Sequence, residues 1–369
     1  MSVPLLDLTR QHDSMVGPLC DQFAQVLKSG QFVLGPYADN FERQLAEYCG
    51  VRHAVVVSSG TDALLVALMA LSIQPGDEVI TSAFTFFATA GCIMRLGGKP
   101  VFVDIDPDTF NLDVQKIDAA VTASTKAIIP VHLYGQMADM EPIQRVAQRH
   151  GLKVIEDAAQ ALGAMDRDRP AGSIGHIGCM SFYPSKNLAA LGDGGACLLN
   201  DGDLAQRIRI LREHGQDSAF TYEVVGGNFR LDAVQAMVLS VKLPHVEEWI
   251  EQRRANAQRY QPLLEGLPVN LPREAPQKRH TYNQYTIRVD VGQRDALRDH
   301  LSRSSIGTQI YYRIPLHLQP CLKHLGYARG ELPNCERAAD SVLSLPIYPE
   351  LSSAQQEEVA KCVREFFRD

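Results

Sequence analysis

The sequence predicts an α/β fold built on a mostly parallel sheet, followed by a smaller α+β unit. Up to about residue 200, short apolar β-rich runs alternate with longer helical patterns. Continuous apolar strands separated by helices are typical of a parallel sheet that is covered on both faces. After about residue 240 the pattern changes to a long helical stretch rich in Glu, Gln and Arg, which marks the second unit.

Each element follows from the same alternation. The predicted strands of the sheet are residues 54–57, 78–81, 99–104, 127–130, 153–156, 178–182 and 195–199, and the predicted helices between them are 62–71, 88–96 and 140–150. The second unit is predicted to contain helices at 244–264, 294–304 and 354–367 and a strand at 284–291. The predicted domains are therefore a large one at 31–243 and a small one at 244–369, with residues 1–30 packing on the small domain.

Composition and charge exclude several classes of protein. The hydrophobic fraction of 45% provides enough apolar surface for a folded core, which excludes disorder as the main state. The 36 basic and 43 acidic residues leave a net charge of −7, which disfavours a nucleic-acid partner. The longest apolar run, residues 63–71, is too short to span a membrane, and no signal peptide is visible, so we expect a cytoplasmic protein. The cysteines and histidines show no metal-ligand spacing, so no metal site is expected.

Two polar motifs lie where predicted strands end. Ser58 to Ala63 connects a strand to a helix, and a helix N-terminus offers free N–H groups that suit a phosphate. Alternatively, Ser59 or Thr61 only caps that helix. Glu156 and Asp157 close a buried apolar strand, and a carboxylate at this edge of a parallel sheet can hold a cationic ring nitrogen or cap the next helix.

Two further motifs contain polar or basic residues near glycines. Lys186, in the stretch 181–187, is either a surface lysine before a turn or a buried amine with a depressed pKa that can form a Schiff base. Asn228 and Arg230 follow two glycines and precede a helix that could start at Asp232. This second motif could equally be an ordinary loop and N-cap.

The order and spacing of these motifs resemble one family almost end to end, the DegT/DnrJ/EryC1/StrS sugar aminotransferases. These are pyridoxal-phosphate enzymes of the aspartate-aminotransferase fold, fold type I, so the resemblance implies that fold and that cofactor. The matching segments are Ser29 to Pro36, Gly60 to Ala63, Pro75 to Val79, Phe84 to Thr89, Glu156 to Gln160, Ser181 to Lys186, Asn228 to Gln235, Tyr311 to His317 and Leu343 to Pro346.

The resemblance also implies roles for the residues that face the cofactor ring. Lys186 would hold the cofactor covalently and move the proton, and Asp157 would keep the ring nitrogen protonated. These two are the predicted catalytic residues. Gln160 would hydrogen-bond the ring hydroxyl, and Phe86, or less favourably Phe84, would stack on the ring face.

The remaining cofactor contacts concern its phosphate. The resemblance implies that Gly60, Thr61 and Ser181 hold the phosphate within one subunit. Asn228 would reach the same phosphate across a dimer interface. The resemblance therefore implies an obligate homodimer with two shared active sites.

The activity implied by the resemblance is amino transfer from L-glutamate to a nucleotide-linked keto-sugar. The predicted substrate-binding residues are Arg230, Tyr311, Tyr312 and His317. Arg313 stands where many relatives have proline, and it either contacts a substrate phosphate or carboxylate or is solvated. The end of this segment favours a 3-keto sugar on dTDP or UDP, while amination at C4 stays open. A different fold-type I enzyme and a cofactor-binding regulator without catalysis also stay open.

Overall fold

The computed structural model describes residues 2–218 and 220–368, and a seven-stranded sheet lies at its centre. The strands, numbered in chain order, are β1 His53–Val57, β2 Glu78–Ser82, β3 Lys99–Val103, β4 Thr125–Ile129, β5 Lys153–Asp157, β8 Ile177–Ser181 and β9 Gly195–Leu199. Their order across the sheet is β1-β9-β8-β5-β4-β2-β3. Strand β9 is antiparallel to both of its neighbours, and the other four pairs are parallel. The predicted mostly parallel sheet is confirmed.

The helices that accompany this sheet cover both of its faces. They are α1 Thr9–Asp13, α2 Val16–Ser29, α3 Gly35–Tyr48, α4 Gly60–Ala70, α5 Ala88–Arg95, α6 Val114–Ile117, α7 Met140–His150, α8 Gly202–Arg212 and α9 Ala233–Lys242. The sequence analysis did not assign α2, α3 or α8. Helix α4 is apolar on nearly every side. This fits its position, because Ala63 to Leu68 are all buried between the sheet and the helices α5 and α8.

Alternation along the strands divides the core into two layers. In β1, Val55 and Val57 belong to the layer beneath α4 and α8, whereas Ala54 and Val56 belong to the layer on the α3 side. Successive residues of a strand point to opposite faces, so a strand buried on both faces reads as an unbroken apolar run. This explains why the strands were visible in the sequence.

The C-terminal part is a separate α+β arrangement. It contains α10 Val246–Leu264, α11 Arg294–Arg303, α12 Pro333–Ser341 and α13 Ser353–Phe366, with strands β12 Val269–Asn270, β14 Tyr285–Val289 and β15 Val342–Leu345. These strands form an antiparallel sheet in the order β12-β14-β15. Tyr260, Tyr285 and Tyr348 are its largest buried side chains, and the rings of Tyr260 and Tyr285 lie 4.8 Å apart.

Shorter pieces complete the chain. The two-residue strands β6 Met165–Asp166, β7 Arg169–Pro170 and β13 Lys278–Arg279 form a small sheet, and β10 Gln216–Ser218 pairs with β11 Thr221–Tyr222 in a hairpin. Turns of 3-10 helix are found at Asp118–Ala120, Leu133–Gly135, Leu243–His245, Leu316–Leu318 and Pro320–Leu325. Within the described residues, no helix has both the length and the apolar character that crossing a membrane requires.

The N-terminal segment contacts two parts of the chain. Val3 forms a parallel bridge with Ile306, just after α11. Helix α2 instead packs on α9, where Leu19 and Val26 share a cluster with Met237. The domain limits at residues 30 and 243 stay a prediction.

Candidate active site

A cavity of about 500 Å³ lies where the parallel strands of the sheet end, with Asp157 of β5 and Ser181 of β8 in its wall. In open parallel sheets, this edge is where ligands bind. Nine of the residues predicted from the sequence line the cavity, namely Gly60, Thr61, Phe86, Asp157, Gln160, Ser181, Lys186, Tyr311 and Tyr312. Residues that are up to 252 positions apart in the sequence, from Gly60 to Tyr312, therefore meet at one site.

Lys186 follows β8 in a turn, where its backbone N–H donates to the carbonyl oxygen of Tyr183 at 2.8 Å. The side chain keeps part of its surface on the cavity. Burial lowers the pKa of the Lys186 amine to about 8, and attraction to the Asp157 carboxylate opposes this shift. A pKa near 8 leaves about a tenth of this amine neutral at pH 7, far more than in an ordinary lysine, and the neutral form is a nucleophile and a proton acceptor.

Asp157 is the last residue of β5, and its side chain is 4% exposed. Burial raises the pKa of this carboxyl, while a hydrogen bond from Thr89 acts in the opposite direction. The Thr89 hydroxyl donates to Oδ2 at 2.7 Å, and the backbone N–H of Ala159 donates to Oδ1 at 3.3 Å. A buried carboxylate with partial compensation is well suited to pair with a cationic ring nitrogen.

The neighbouring Glu156 points to the other face of the strand and has a structural role. The Nδ1 atom of His132 accepts from the backbone N–H of Ala138 at 3.2 Å, so Nε2 carries the proton and donates to Glu156 at 2.8 Å. Glu156 also accepts from the backbone N–H groups of Gly172 and Ile174. Burial alone would raise the pKa of Glu156, but these donors outweigh it and hold that pKa below its usual range.

The N-terminus of α4 forms a narrow part of the cavity. Ser59 caps the helix, since its hydroxyl oxygen accepts from the backbone N–H of Asp62 at 3.1 Å. Gly60 and Thr61 begin the helix, and the first N–H groups of a helix have no partner within it. A Cβ atom on Gly60 would lie 2.6 Å from the Cβ of Ser181, so only glycine permits this close approach of α4 to the end of β8. The cap and the anion-binding interpretations therefore apply to different residues of one motif.

Aromatic and amide groups define the remaining walls. Phe86 is 58% exposed and lines the cavity, whereas Phe84 is fully buried, which favours Phe86 as the stacking residue. The Oε1 atom of Gln160 accepts from the backbone N–H of Tyr134 at 2.8 Å, and its Nε2 donates to the Tyr312 hydroxyl at 3.3 Å. Burial raises the pKa of Tyr312 above its usual range, so its hydroxyl stays protonated.

The predicted residues Asn228 and Arg230 lie outside this cavity. Asn228 is exposed and forms an antiparallel bridge with Glu213, close to the β10–β11 hairpin. Arg230 is half-buried, and among the described residues its Nε has no hydrogen-bond partner. Asn228 does not line the cavity of its own subunit, and its expected role in a second copy stays a prediction.

The predicted residues His317 and Arg313 also have positions away from the cavity. His317 is buried in the C-terminal part, with its Nε2 3.1 Å from Oε1 of Glu336. His317 does not line the cavity of this subunit, and its predicted substrate-binding role stays a prediction. Arg313 is exposed and donates from Nη1 to Asp295 at 3.3 Å, so the solvated interpretation describes it in this subunit.

Several residues that line the cavity were not predicted from the sequence. Thr85, Tyr183, Asp193 and Gln284 line the cavity, and Thr89 lies directly behind Asp157. Tyr183 and Thr85 fall inside motifs that were recognised, so their positions could have been proposed. Gln284 gave no signal except its place at the start of a predicted strand.

These groups fit pyridoxal phosphate. Lys186 would supply an amine for the cofactor's aldehyde, Asp157 a carboxylate for its ring nitrogen, and the α4 N-terminus N–H groups for its phosphate. The exposed side chain of Phe86 in the cavity wall is available to stack on the ring. Together with the mostly parallel seven-stranded sheet, they define a pyridoxal-phosphate-dependent transferase of fold type I.

Comparison with known proteins specifies the family. The chain belongs to the DegT/DnrJ/EryC1/StrS aminotransferase family, whose sequence profile matches residues 17–364. It is 49% identical, over 100% of this chain and 99% of the relative, to a protein of Geobacillus stearothermophilus named pleiotropic regulatory protein. It is 42% identical, over 98% of this chain and 97% of the relative, to UDP-N-acetyl-3-dehydro-α-D-glucosamine 3-aminotransferase of Acidithiobacillus ferrooxidans.

A solved structure shows the same fold over the whole length. The crystal structure of DesV from Streptomyces venezuelae, in complex with a ketimine intermediate, superposes with a TM-score of 0.96 at 42% identity. The alignment covers 100% of this chain and 99% of DesV. The chain is therefore a pyridoxal-phosphate-dependent aminotransferase that acts on nucleotide sugars.

Proposed function

We propose that this aminotransferase moves an amino group from L-glutamate to C3 of a nucleotide-linked 3-keto sugar carried on UDP or dTDP. The observation that supports C3 is the name of the Acidithiobacillus ferrooxidans relative, a 3-aminotransferase for a UDP-linked sugar. Other relatives have names that specify a dTDP- or UDP-linked sugar with its amino or keto group at the same carbon. The tyrosines at 311 and 312, in the segment whose ending favoured C3, line the cavity.

Each residue of the cavity has a separate role in the proposed reaction. Pyridoxal phosphate, when bound, supplies an electron sink for the pair of electrons left at the donor Cα. Lys186 holds the cofactor, and its amine in the neutral form takes the proton from the donor Cα. Asp157 as a carboxylate stabilises the positive charge on the ring nitrogen, and the α4 N-terminus holds the phosphate. Phe86 would stack on the cofactor ring, and its own ring lies 6.3 Å from that of Tyr312.

The carbon that is aminated is tested by the reverse half-reaction. Enzyme in its aldehyde form is mixed with UDP- and dTDP-linked 3-amino and 4-amino sugars, without 2-oxoglutarate, and the loss of the cofactor's visible absorbance is followed. We expect the 3-amino sugars to discharge this absorbance within one turnover. Discharge by 4-amino sugars alone would overturn the assignment to C3.

The donor is tested in the same assay with L-glutamate, L-aspartate and L-alanine, and we expect L-glutamate to react fastest.

A homodimer is part of the proposed function. Phe86 and Tyr183 line the cavity and are exposed, and so are Phe87 and Leu191 in the same chain segments. Clustered exposed apolar side chains are typical of an interaction surface. We propose that a second copy of the chain covers this surface and supplies Asn228 to the phosphate. The exposed position of Asn228, outside the cavity of its own subunit, supports this arrangement.

A regulatory role is the second candidate, because the relative from Geobacillus stearothermophilus has a regulatory name. The presence of Lys186 and Asp157 on one cavity favours a catalytic origin for any regulatory phenotype. Cells that carry only the Lys186→Ala variant separate the two roles. We expect the phenotype of a deletion, whereas normal regulation by this variant would show a function that needs no catalysis.

A further inference from the structure

Thr89 lies behind the carboxylate that the proposed function assigns to the ring nitrogen of the cofactor. It is the second residue of α5, and its side chain is fully buried. Its Oγ1 donates to Oδ2 of Asp157 at 2.7 Å, whereas the backbone N–H of Ala159 reaches Oδ1 at 3.3 Å. Thr89 therefore makes the shorter of these two contacts to the carboxylate.

The direction of these hydrogen bonds follows from the charge on Asp157. An ionised carboxylate only accepts, so the Thr89 hydroxyl must donate to it. Thr85 Oγ1 lies 3.3 Å from Thr89 Oγ1 and is then the donor of that second contact. The carbonyl oxygen of Phe86, also 3.3 Å from Thr89 Oγ1, is the more distant acceptor. Two hydroxyl groups in series are thus directed at one carboxylate oxygen.

We propose that Thr89 is a positioning residue for the cofactor, which keeps the Asp157 carboxylate ionised and fixes its orientation, with Thr85 as its support. Burial favours the neutral acid, and a neutral acid cannot neutralise a protonated ring nitrogen. A hydrogen bond donated to the charged form shifts the balance back towards the carboxylate. Thr89 acts on the cofactor through Asp157 and touches no reacting atom itself.

The test compares two valine variants of buried threonines. Thr89→Val keeps the shape and removes the hydroxyl. The matched control is Thr81→Val, because Thr81 is also fully buried and its hydroxyl donates to the carbonyl oxygen of Ile129 at 2.8 Å, within the sheet. Apoprotein is titrated with pyridoxal phosphate, and the dissociation constant is read from protein fluorescence. We expect it to rise about 10- to 100-fold in Thr89→Val, as for the loss of a hydrogen bond to a charged group. It should stay unchanged in Thr81→Val.

Two further measurements separate positioning from a structural role. Thr89→Ser restores the hydroxyl and should bring the dissociation constant back towards the wild-type value. The loss in Thr89→Val should be greater at pH 6 than at pH 8, because removing a donor raises the pKa of Asp157 and acid then neutralises it. Thermal unfolding of the apoproteins checks the fold, and Thr89→Ala replaces Thr89→Val if valine prevents folding.

Each outcome decides the proposal. Three results would overturn the positioning role of Thr89. The first is wild-type affinity for the cofactor in Thr89→Val and Thr89→Ala, and the second is an equal loss of affinity in Thr89→Val and Thr81→Val. The third is no recovery of affinity in Thr89→Ser. The inference rests on the proposed role of Asp157, which Asp157→Asn tests separately. Wild-type affinity in Asp157→Asn would remove that role, whereas a loss there without a loss in Thr89→Val removes only the role of Thr89. No sugar is used, so the choice between C3 and C4 does not affect the result.

Discussion

At the scale of single residues, the surroundings of a side chain decide its chemistry. Lys186 is half-buried and Lys242 is fully buried, and burial lowers the pKa of each amine to about 8. Lys186 faces a cavity with Asp157 across from it, whereas Lys242 is fully buried, with Nζ 3.4 Å from Nε2 of His12 and 5.8 Å from the centre of the Trp249 ring. Only Lys186 has room for a ligand beside its amine.

The pKa of Lys186 gives a prediction for the pH dependence of cofactor capture. Covalent attachment needs the neutral amine, so the rate at which apoprotein captures pyridoxal phosphate should rise with pH and level off above about pH 8. Stopped-flow absorbance between pH 6 and 10 measures this rate. A rate that keeps rising to pH 10 would show an ordinary lysine. Asp157→Asn should move the midpoint to lower pH, because the Asp157 charge favours the protonated amine.

The hydrogen-bond partners of single residues could not be predicted from the sequence. Glu156 and Asp157 are adjacent acids at one strand end, and only the resemblance distinguished them. Strand alternation directs Glu156 to His132 and Asp157 to the cavity. The partner of His317 is Glu336, 19 positions later, and no local pattern announces that contact. Non-local hydrogen bonds of this kind cannot be read from the sequence, and the substrate-binding role that the resemblance implies for His317 stays a prediction.

At the scale of elements, the α4 N-terminus was the most predictable part of the site. A strand followed by Ser58 to Ala63 and an apolar helix predicts a helix N-terminus at this point without any tertiary information, and phosphate binding there stays a prediction. The close approach of Ser181 to Gly60 depends on the packing of α4 against β8, and that distance could not be read from the sequence.

Gly60→Ala tests this contact. The added methyl group would lie 2.6 Å from the Cβ of Ser181, so the helix and the β8 end must separate. We expect the dissociation constant of pyridoxal phosphate to rise about 10- to 100-fold, from a typical cost of overpacking. Equilibrium titration of the apoprotein measures it.

The matched control for this change is Gly17→Ala. Gly17 also lies in the first turn of a helix, α2, and a Cβ there meets no atom within 4 Å. Its affinity for the cofactor should equal that of the wild type. Equal affinity in Gly60→Ala would show that the cofactor phosphate binds elsewhere.

At the scale of the whole molecule, the sheet was predicted well because its strands are buried on both faces. All seven predicted strands overlap observed ones, and β9 is the one antiparallel member of the sheet. Helices α2 and α3 were missed because their surfaces are mixed, with exposed residues such as Phe23 and Leu27 beside buried ones such as Val26. The proposed second copy of the chain belongs to this scale, since one subunit leaves Asn228 away from its own cavity.

Mixing of inactive variants tests whether the two subunits share their sites. Lys186→Ala and Asn228→Ala dimers are unfolded together, refolded and assayed for amino transfer. If Asn228 acts across the interface, each hybrid dimer contains one intact site, so the mixture should recover about a quarter of the wild-type activity on random pairing. The separately refolded variants serve as controls. No recovery would place Asn228 in the site of its own subunit.

We propose that Lys186 is the residue that binds the cofactor covalently. Holoenzyme is reduced with borohydride, which makes the lysine–cofactor bond permanent, and the modified peptide is identified by mass spectrometry. We expect a pyridoxyl group on Lys186 alone, and none on Lys242, although burial lowers the pKa of both amines to about 8. Modification of Lys242 or of another lysine, with Lys186 unmodified, would contradict it.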